Sequence, residues 1–491
     1  MTGSGDGLRA VAHYINGEWA GSLNGRTHAD HDPWTGRPIA EVASGDAFDA
    51  RLAVEAAHAA FPGWAQTLPD DRQLIFLRAA DALDRRRDEV AGLLAAETGC
   101  GAHFAEVQLS FCLSLLRQAS TLAHAPAGQI LPSSVPDRRA LAVRRPVGVV
   151  AAIAPWNAAL VLAGRAVAGP LALGNTVVLK PSEESPITGG TIWAELFAEA
   201  GLPAGVLNVV THASGDAGMI AEELVTHRHV RRISFTGSTV TGRRLAELAG
   251  RQLKRPVLQL SGLNSLIVLA DADLDAAVGA AAYGAFVHQG EVCMCARRIL
   301  VERAVADEFT EKFTAKVAGL KVGDPRDPDT VVGPLINQWA LSLVSRRVEE
   351  AVAMGARLLT GGTPQPPCYP PTVLADVPAD AEIAFEETFG PVAILEVVED
   401  RDDAVARANA SPYGLTAGIL TGDTYRALDL ARRLEVGIVH INDQPVSDEP
   451  QMPFGGVKDS GYGRFGLGFT AEDFTDLQWV SLRDSAREYP F

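Results

Sequence analysis

Apolar positions change their spacing several times along the chain. Phe76, Ala79, Ala80, Leu83, Val90, Leu93 and Leu94 recur at helical intervals, which predicts one amphipathic helical region with a single apolar face. Asp70 and Asp71 stand where an N-cap and a first-turn acid belong, and the charged run 84–89 reads as the solvated face. Upstream, 14–19 and 32–36 read as short strands joined by Asn-Gly and Pro/Gly turns. Between 125 and 145 the helical pattern fails: Pro126, Gly128, Pro132 and Pro136 break it, and 140–143 predicts a strand. That stretch reads as an excursion from a domain.

From Val147 onward, short apolar runs alternate with helical segments. Candidate strands are 147–154, 176–179, 206–210, 233–235, 257–260 and 266–269, with helical stretches such as 190–200 and 240–248 between them. Such β-α alternation predicts an α/β fold with a doubly wound parallel sheet, which binds ligands at the carboxyl ends of its strands. A second α/β section runs from about 261 to 470, with a helix over 339–354 and a β-α-β texture over 392–441.

Composition narrows the function classes. The 491-residue chain is 47% hydrophobic and carries a net charge of -17, which argues against binding nucleic acid or an anionic membrane and favours small-molecule ligands. Its longest apolar run, 147–163, is interrupted by Pro155-Trp156-Asn157 and is too short to span a bilayer. Residues 1–7 lack an apolar signal core or an Arg-rich transit pattern, so they read as a disordered start of a cytoplasmic protein. The five cysteines form no disulfide framework, and Cys293-Met294-Cys295 lacks the second half of a zinc site, so no metal is expected.

Candidate chemistry gathers at the predicted strand ends. Asn157 follows the first strand, where its amide can turn toward a ligand oxygen or simply stabilise a turn. Lys180-Pro181-Ser182-Glu183 follows the second. There Lys and Glu can bind ribose hydroxyls, the acid disfavouring a 2′-phosphate, or can form a surface ion pair. At Gly237-Ser238-Thr239 small residues open a helix, whose N-terminus suits a pyrophosphate, although no G-x-G-x-x-G is present. Cys293 lies between a helical run, 276–287, and a strand-like run, 298–301. A thiol there is either a nucleophile near backbone N–H donors or a small core residue.

Taken in order, these motifs resemble the aldehyde dehydrogenase superfamily over nearly the whole chain. The resemblance runs from Ile15-Asn16-Gly17-Glu18-Trp19 through the three strand-end motifs to Gly290-Glu291-Val292-Cys293, Glu387-Thr388-Phe389-Gly390-Pro391 and Pro453-Phe454-Gly455-Gly456. It implies an NAD-binding domain at 1–124 and 144–260, a catalytic domain at 261–471, and an oligomerisation arm at 125–143 and 472–491, in a homodimer or homotetramer. It further implies Cys293 as nucleophile, with Asn157 and the Cys293 backbone N–H as oxyanion hole. Trp156, Lys180, Ser182, Glu183, Gly237, Ser238, Glu387 and Phe389 would contact NAD. The implied reaction takes an aldehyde through a thiohemiacetal and a thioester to the acid. The texture of 165–167, 171–175, 441–443 and 460–466 is similar to that of benzaldehyde, vanillin and salicylaldehyde dehydrogenases, and Trp156, Val292, Met294 and Phe454 would border a ring-sized pocket.

Three positions, Gln259, Ser261 and Glu291, depart from the family pattern. Gln259-Leu260-Ser261-Gly262 stands where the family usually has Glu-Leu-Gly-Gly, and an amide can orient water without accepting its proton. Glu291 stands where the family usually has Gln, so either it takes over part of the base role or it points to solvent and deacylation is slow. Acyl transfer to coenzyme A and a non-catalytic binding protein are the alternatives. Asn157→Ala should lower turnover by about a hundredfold while NAD binding persists; steady-state kinetics with a parallel NAD titration check this, and near-normal turnover contradicts it.

Overall fold

The computed structural model describes residues 8–125 and 127–491; the predicted start at 1–7 and the helix breaker Pro126 lie outside the described residues. Two sheets dominate. The first has eight strands in the order Gly461–Tyr462, Arg255–Gln259, Val230–Thr236, Val149–Ile153, Thr176–Lys180, Leu207–Val209, His13–Ile15 and Glu18–Ala20. Its central strands are parallel, and Val149–Ile153, Thr176–Lys180 and Leu207–Val209 are buried throughout, as continuous apolar runs in a doubly wound sheet should be. Register aligns their carboxyl ends: Lys180 pairs with Ile153, Ile153 with Phe235, and Thr236 with Gln259. Residues following these strands therefore emerge along one edge.

Of the predicted strand series, 266–269 belongs elsewhere. It is part of Asn264–Val268, which lies in a seven-stranded sheet between Ala296–Glu302 and Thr416–Leu420. Asn264 pairs with Ala296, so the start of that sheet adjoins the end of Arg255–Gln259 across residues 260–263. The catalytically interesting loop, 287–295, enters the same sheet at Ala296.

The predicted single helix over residues 70–94 is two helices, Pro69–Arg85 and Arg87–Thr98, divided at Arg86. Apolar spacing carries across the break because both helices pack into one core. The charged run is correspondingly more than a solvated face: Arg86 donates to Glu89 at 2.8 Å and to Glu195 at 2.6 Å. Residues Gly128–Leu131 and Arg138–Pro146 form a hairpin that pairs with Thr475–Arg483. Buried Asn175 ties this excursion to the first sheet: its Oδ1 accepts from Val147 N and Gly148 N, and its Nδ2 donates to the Phe474 and Pro170 carbonyls. Among the described residues no helix is long and apolar enough to cross a membrane.

Candidate active site

Helix Leu274–Phe286 ends at a turn that few sequences tolerate. His288, Gln289 and Gly290 take φ of 50°, 53° and 69°, a left-handed run in which only the glycine is free of Cβ strain. Side chains from elsewhere hold it. Gln289 Nε2 donates to Gly99 O at 3.2 Å, and its Oε1 accepts from Gly333 N at 3.4 Å. The buried Arg297 guanidinium donates to Gly390 O at 2.5 Å and also to Gly290 O, joining this loop to the one that carries Glu387 and Phe389. Asn264 Nδ2 donates to Cys293 O at 2.8 Å and Cys295 O at 3.0 Å, while its Oδ1 accepts from Thr416 N. A Cβ at Gly262 would lie 2.5 Å from Cys293 O, which explains a glycine there. Sequence reasoning missed Asn264 and Arg297, whose partners at 390 and 416 are remote in the chain.

Cys293 is half-buried, and its thiol is pushed up by burial, then by the Glu387 carboxylate and Cys295, with Arg165 opposing. Glu387 is itself raised by burial, while the Gly262 N–H, 3.1 Å from Oε1, and the Ser261 hydroxyl favour its charged form. Arg165 forms an ion pair with Asp448 and lies over the Phe454 ring at 4.3 Å and the Phe111 ring at 5.0 Å. Val292, Met294 and Phe454 share one buried cluster with it nearby. Trp156, expected beside them, instead packs with the cluster around Ile336 and Tyr369.

Gln259 and Glu291 are both buried, with exposures of 1% and 0%. Neither amide atom of Gln259 has a hydrogen-bond partner. Glu291 does not point to solvent: its Oε1 accepts from Ile336 N at 3.1 Å, its Oε2 is unpartnered, and burial raises its pKa well above the usual carboxylate range. Its charge acts on Cys295, whereas the groups acting on the Cys293 thiol are Glu387, Cys295, Arg165 and Asp448.

Along the aligned strand ends, Lys180 Nζ meets the Pro181 carbonyl at 3.2 Å and His212 Nε2 at 2.5 Å. Burial brings Lys180 down to about 8, and burial with the neighbouring lysine brings His212 down to about 4. His212 is a third residue that the sequence did not single out. Ser182 Oγ donates to Glu183 Oε2 at 3.2 Å. Ser238 caps helix Thr239–Arg251, accepting from Thr241 N at 3.3 Å, and a Cβ on Gly237 would come within 2.6 Å of the Phe235 ring. Trp156 and Phe389 meet edge to face at 5.5 Å and line a cleft of about 230 Å³ together with Ser182, Glu183 and Asn337. A buried lysine, a nearby carboxylate, a serine-capped helix N-terminus and two aromatic rings are a set of groups that fits a dinucleotide.

The sequence profile of the Aldehyde dehydrogenase family matches residues 19–480. The chain is 45% identical to the vanillin dehydrogenase of Pseudomonas fluorescens over 476 residues, covering 97% of this chain and 98% of that one. It is 44% identical to the benzaldehyde dehydrogenase (NAD+) of Pseudomonas putida over 454 residues, covering 92% of each. The crystal structure of a salicylaldehyde dehydrogenase from Pseudomonas putida G7, complexed with salicylaldehyde, superposes with a TM-score of 0.96 at 37% identity, covering 98% of this chain and 100% of that one.

The raised Cys293 thiol has a direct consequence. Below its pKa the thiolate fraction grows about tenfold per pH unit, so iodoacetamide labelling of Cys293 should climb steeply from pH 7 to pH 9. Glu387→Gln removes one of the groups that raise it and should speed labelling at fixed pH. Peptide mass mapping follows the site, and a rate independent of pH over that range contradicts the assigned electrostatics.

Proposed function

The chain belongs to the aldehyde dehydrogenase family, and we propose that within it this enzyme oxidises an aromatic aldehyde to the carboxylic acid with NAD. The proposed NAD-binding domain is 1–124 and 144–260, the catalytic domain 261–471, and the oligomerisation arm 125–143 and 472–491. The observation that carries the reading is the set of groups acting on the Cys293 thiol: Glu387 from the cofactor-loop side, Arg165 and Asp448 from the aromatic side. The names of the relatives, which act on vanillin, benzaldehyde and salicylaldehyde, point to the same substrate class.

In this reading the Cys293 thiolate attacks the aldehyde carbon, and the resulting oxyanion is stabilised by the Asn157 amide and the Cys293 backbone N–H. The nicotinamide, when bound, supplies the hydride acceptor. Glu387 holds the nicotinamide ribose, Phe389 and Trp156 border the ring, Lys180, Ser182 and Glu183 meet the adenine ribose, and Gly237 and Ser238 meet the pyrophosphate. Glu183 favours NAD over NADP by repelling a 2′-phosphate. Arg165, flattened between Phe111 and Phe454, offers an aromatic substrate a cation held near two rings. Exposed Ile130 and Trp479 on the arm, 81% and 69% accessible, suit a homo-oligomer contact.

Release of the acid is the unusual step. Water adds to the Cys293 thioester, the C–S bond breaks, and the thiol is regenerated. Gln259 can orient that water but cannot take its proton, and its orphaned amide asks for a ligand of that kind. Glu291, whose carboxyl accepts from Ile336 N and whose pKa burial raises, is assigned to holding the loop. The same orphaned amide favours one second reading, acyl transfer to coenzyme A. Gln259→Glu should raise steady-state turnover about tenfold or more, Glu291→Gln should leave it near normal, and added coenzyme A should change neither. A severe loss on Glu291→Gln supports a relocated base, and acceleration by coenzyme A supports the second reading.

A further inference from the structure

His212 follows strand Leu207–Val209, which runs parallel to Thr176–Lys180 with Val209 opposite Leu179. It therefore emerges on the same edge of the first sheet as Lys180, one strand over. The backbone on either side of it is pinned to residues 43–45. Thr211 Oγ1 donates to Ala43 O at 2.8 Å, Gly45 N donates to Thr211 O at 3.0 Å, and Ala213 N donates to Ser44 Oγ at 3.1 Å. The ring itself is 1% exposed.

Its surroundings leave one consistent tautomer. Nδ1 lies 2.9 Å from the Ala213 carbonyl, which can only accept, so Nδ1 carries the proton. Nε2 then presents its lone pair to Lys180 Nζ at 2.5 Å. The reverse tautomer would set a lone pair against the Ala213 oxygen and an N–H against the ammonium. Burial and the neighbouring lysine bring the His212 pKa down to about 4, so the ring is neutral at pH 7. Lys180, brought down to about 8 by burial, still carries its charge there. Nε2 is also 3.1 Å from the Pro181 carbonyl, but in this tautomer both are acceptors, and Lys180 Nζ, 3.2 Å from that oxygen, donates to each. Two of the three ammonium N–H groups are thus committed. The carboxylate that acts on both Lys180 and His212 is Glu183, which lines the cleft beside Trp156 and Phe389.

We propose that His212 is a positioning residue for the adenine ribose of NAD: with the Pro181 carbonyl it takes two Lys180 N–H groups and leaves the third for a ribose hydroxyl. This role rests on Lys180 meeting that ribose, as read above. An ammonium on a flexible four-carbon stem can aim its donors many ways, and fixing two of them removes that freedom before the cofactor arrives.

ADP-ribose carries the adenine ribose without the nicotinamide, so its calorimetric titration into the enzyme with no aldehyde present reads this end of the site apart from turnover. His212→Leu should weaken ADP-ribose about tenfold and raise KM for NAD by a similar factor, while kcat changes less than about twofold. His212→Gln, whose amide oxygen can accept where Nε2 does, should recover most of the affinity. Lys180→Met should also weaken ADP-ribose, and adding His212→Leu to it should cost nothing more, because the histidine acts only through the lysine. Solid-state nitrogen NMR of the histidine-labelled parent enzyme should show a His212 ring protonated at Nδ1 alone, which keeps the proposal refutable should His212→Leu fail to fold. A ring protonated at Nε2, undiminished affinity in His212→Leu, an equal loss in His212→Gln, or additive losses in the double variant overturns the proposal. Full ADP-ribose affinity in Lys180→Met contradicts the lysine's ribose role and the proposal with it. A loss in Lys180→Met without one in His212→Leu leaves the lysine's role standing and removes the histidine from it.

Discussion

Buried backbone carbonyls need donors, and the nucleophile loop has several that no regular element can satisfy. Gly290, Cys293 and Cys295 present theirs inside the protein, and Gly390 presents another from the loop behind Glu387. Two side chains answer all four: Arg297 takes Gly290 and Gly390, and Asn264 takes Cys293 and Cys295. These bonds tie the nucleophile loop and the loop behind Glu387 to the start of the second sheet, and they hold the left-handed turn that precedes Cys293. Without them the strained backbone at His288 and Gln289 would have little reason to persist.

Around that frame the electrostatics are arranged against a resting thiolate. Glu387 and Asp448 both raise the Cys293 thiol, and both are themselves raised by burial, with Arg165 as the opposing cation. A thiol held protonated is protected from adventitious oxidation and alkylation, because only the thiolate reacts readily. In the proposed cycle the Gln259 amide stands where a carboxylate would serve the later step. The proposal gives Glu291 no compensating role, since its Oε1 accepts from Ile336 N and its electrostatic effect falls on Cys295. Acylation and deacylation are therefore unequal steps in the proposed cycle.

Much of the fold was legible because buried parallel strands write themselves as short apolar runs. The residues at their ends were legible because register brings 180, 235 and 259 to one edge. The join at Arg86 was not, since helical spacing ran unbroken across two helices sharing one core. The apolar run at 266–269 does not say which sheet it enters, and only the boundary placed near 261 set it apart from the strands before it. Within the site, Cys293, Asn157 and Gln259 stood out by chemical type and motif. Arg297, Asn264 and His212 did not, because they act through backbone or side-chain partners distant in sequence. Glu291 stood out as a substitution, yet only its burial among 336-side contacts distinguishes a held carboxyl from a solvated one.

The central claim is that Cys293 carries an acyl group whose release lacks a carboxylate base. Rapid mixing of enzyme, NAD and benzaldehyde, with NADH absorbance and intact mass read on the same samples, tests it most directly. The account predicts a burst of NADH close to one per active site, a slower steady phase, and a benzoyl mass increment on Cys293 that decays at the steady rate. Linear NADH formation with no burst and no adduct, at undiminished turnover, would contradict it.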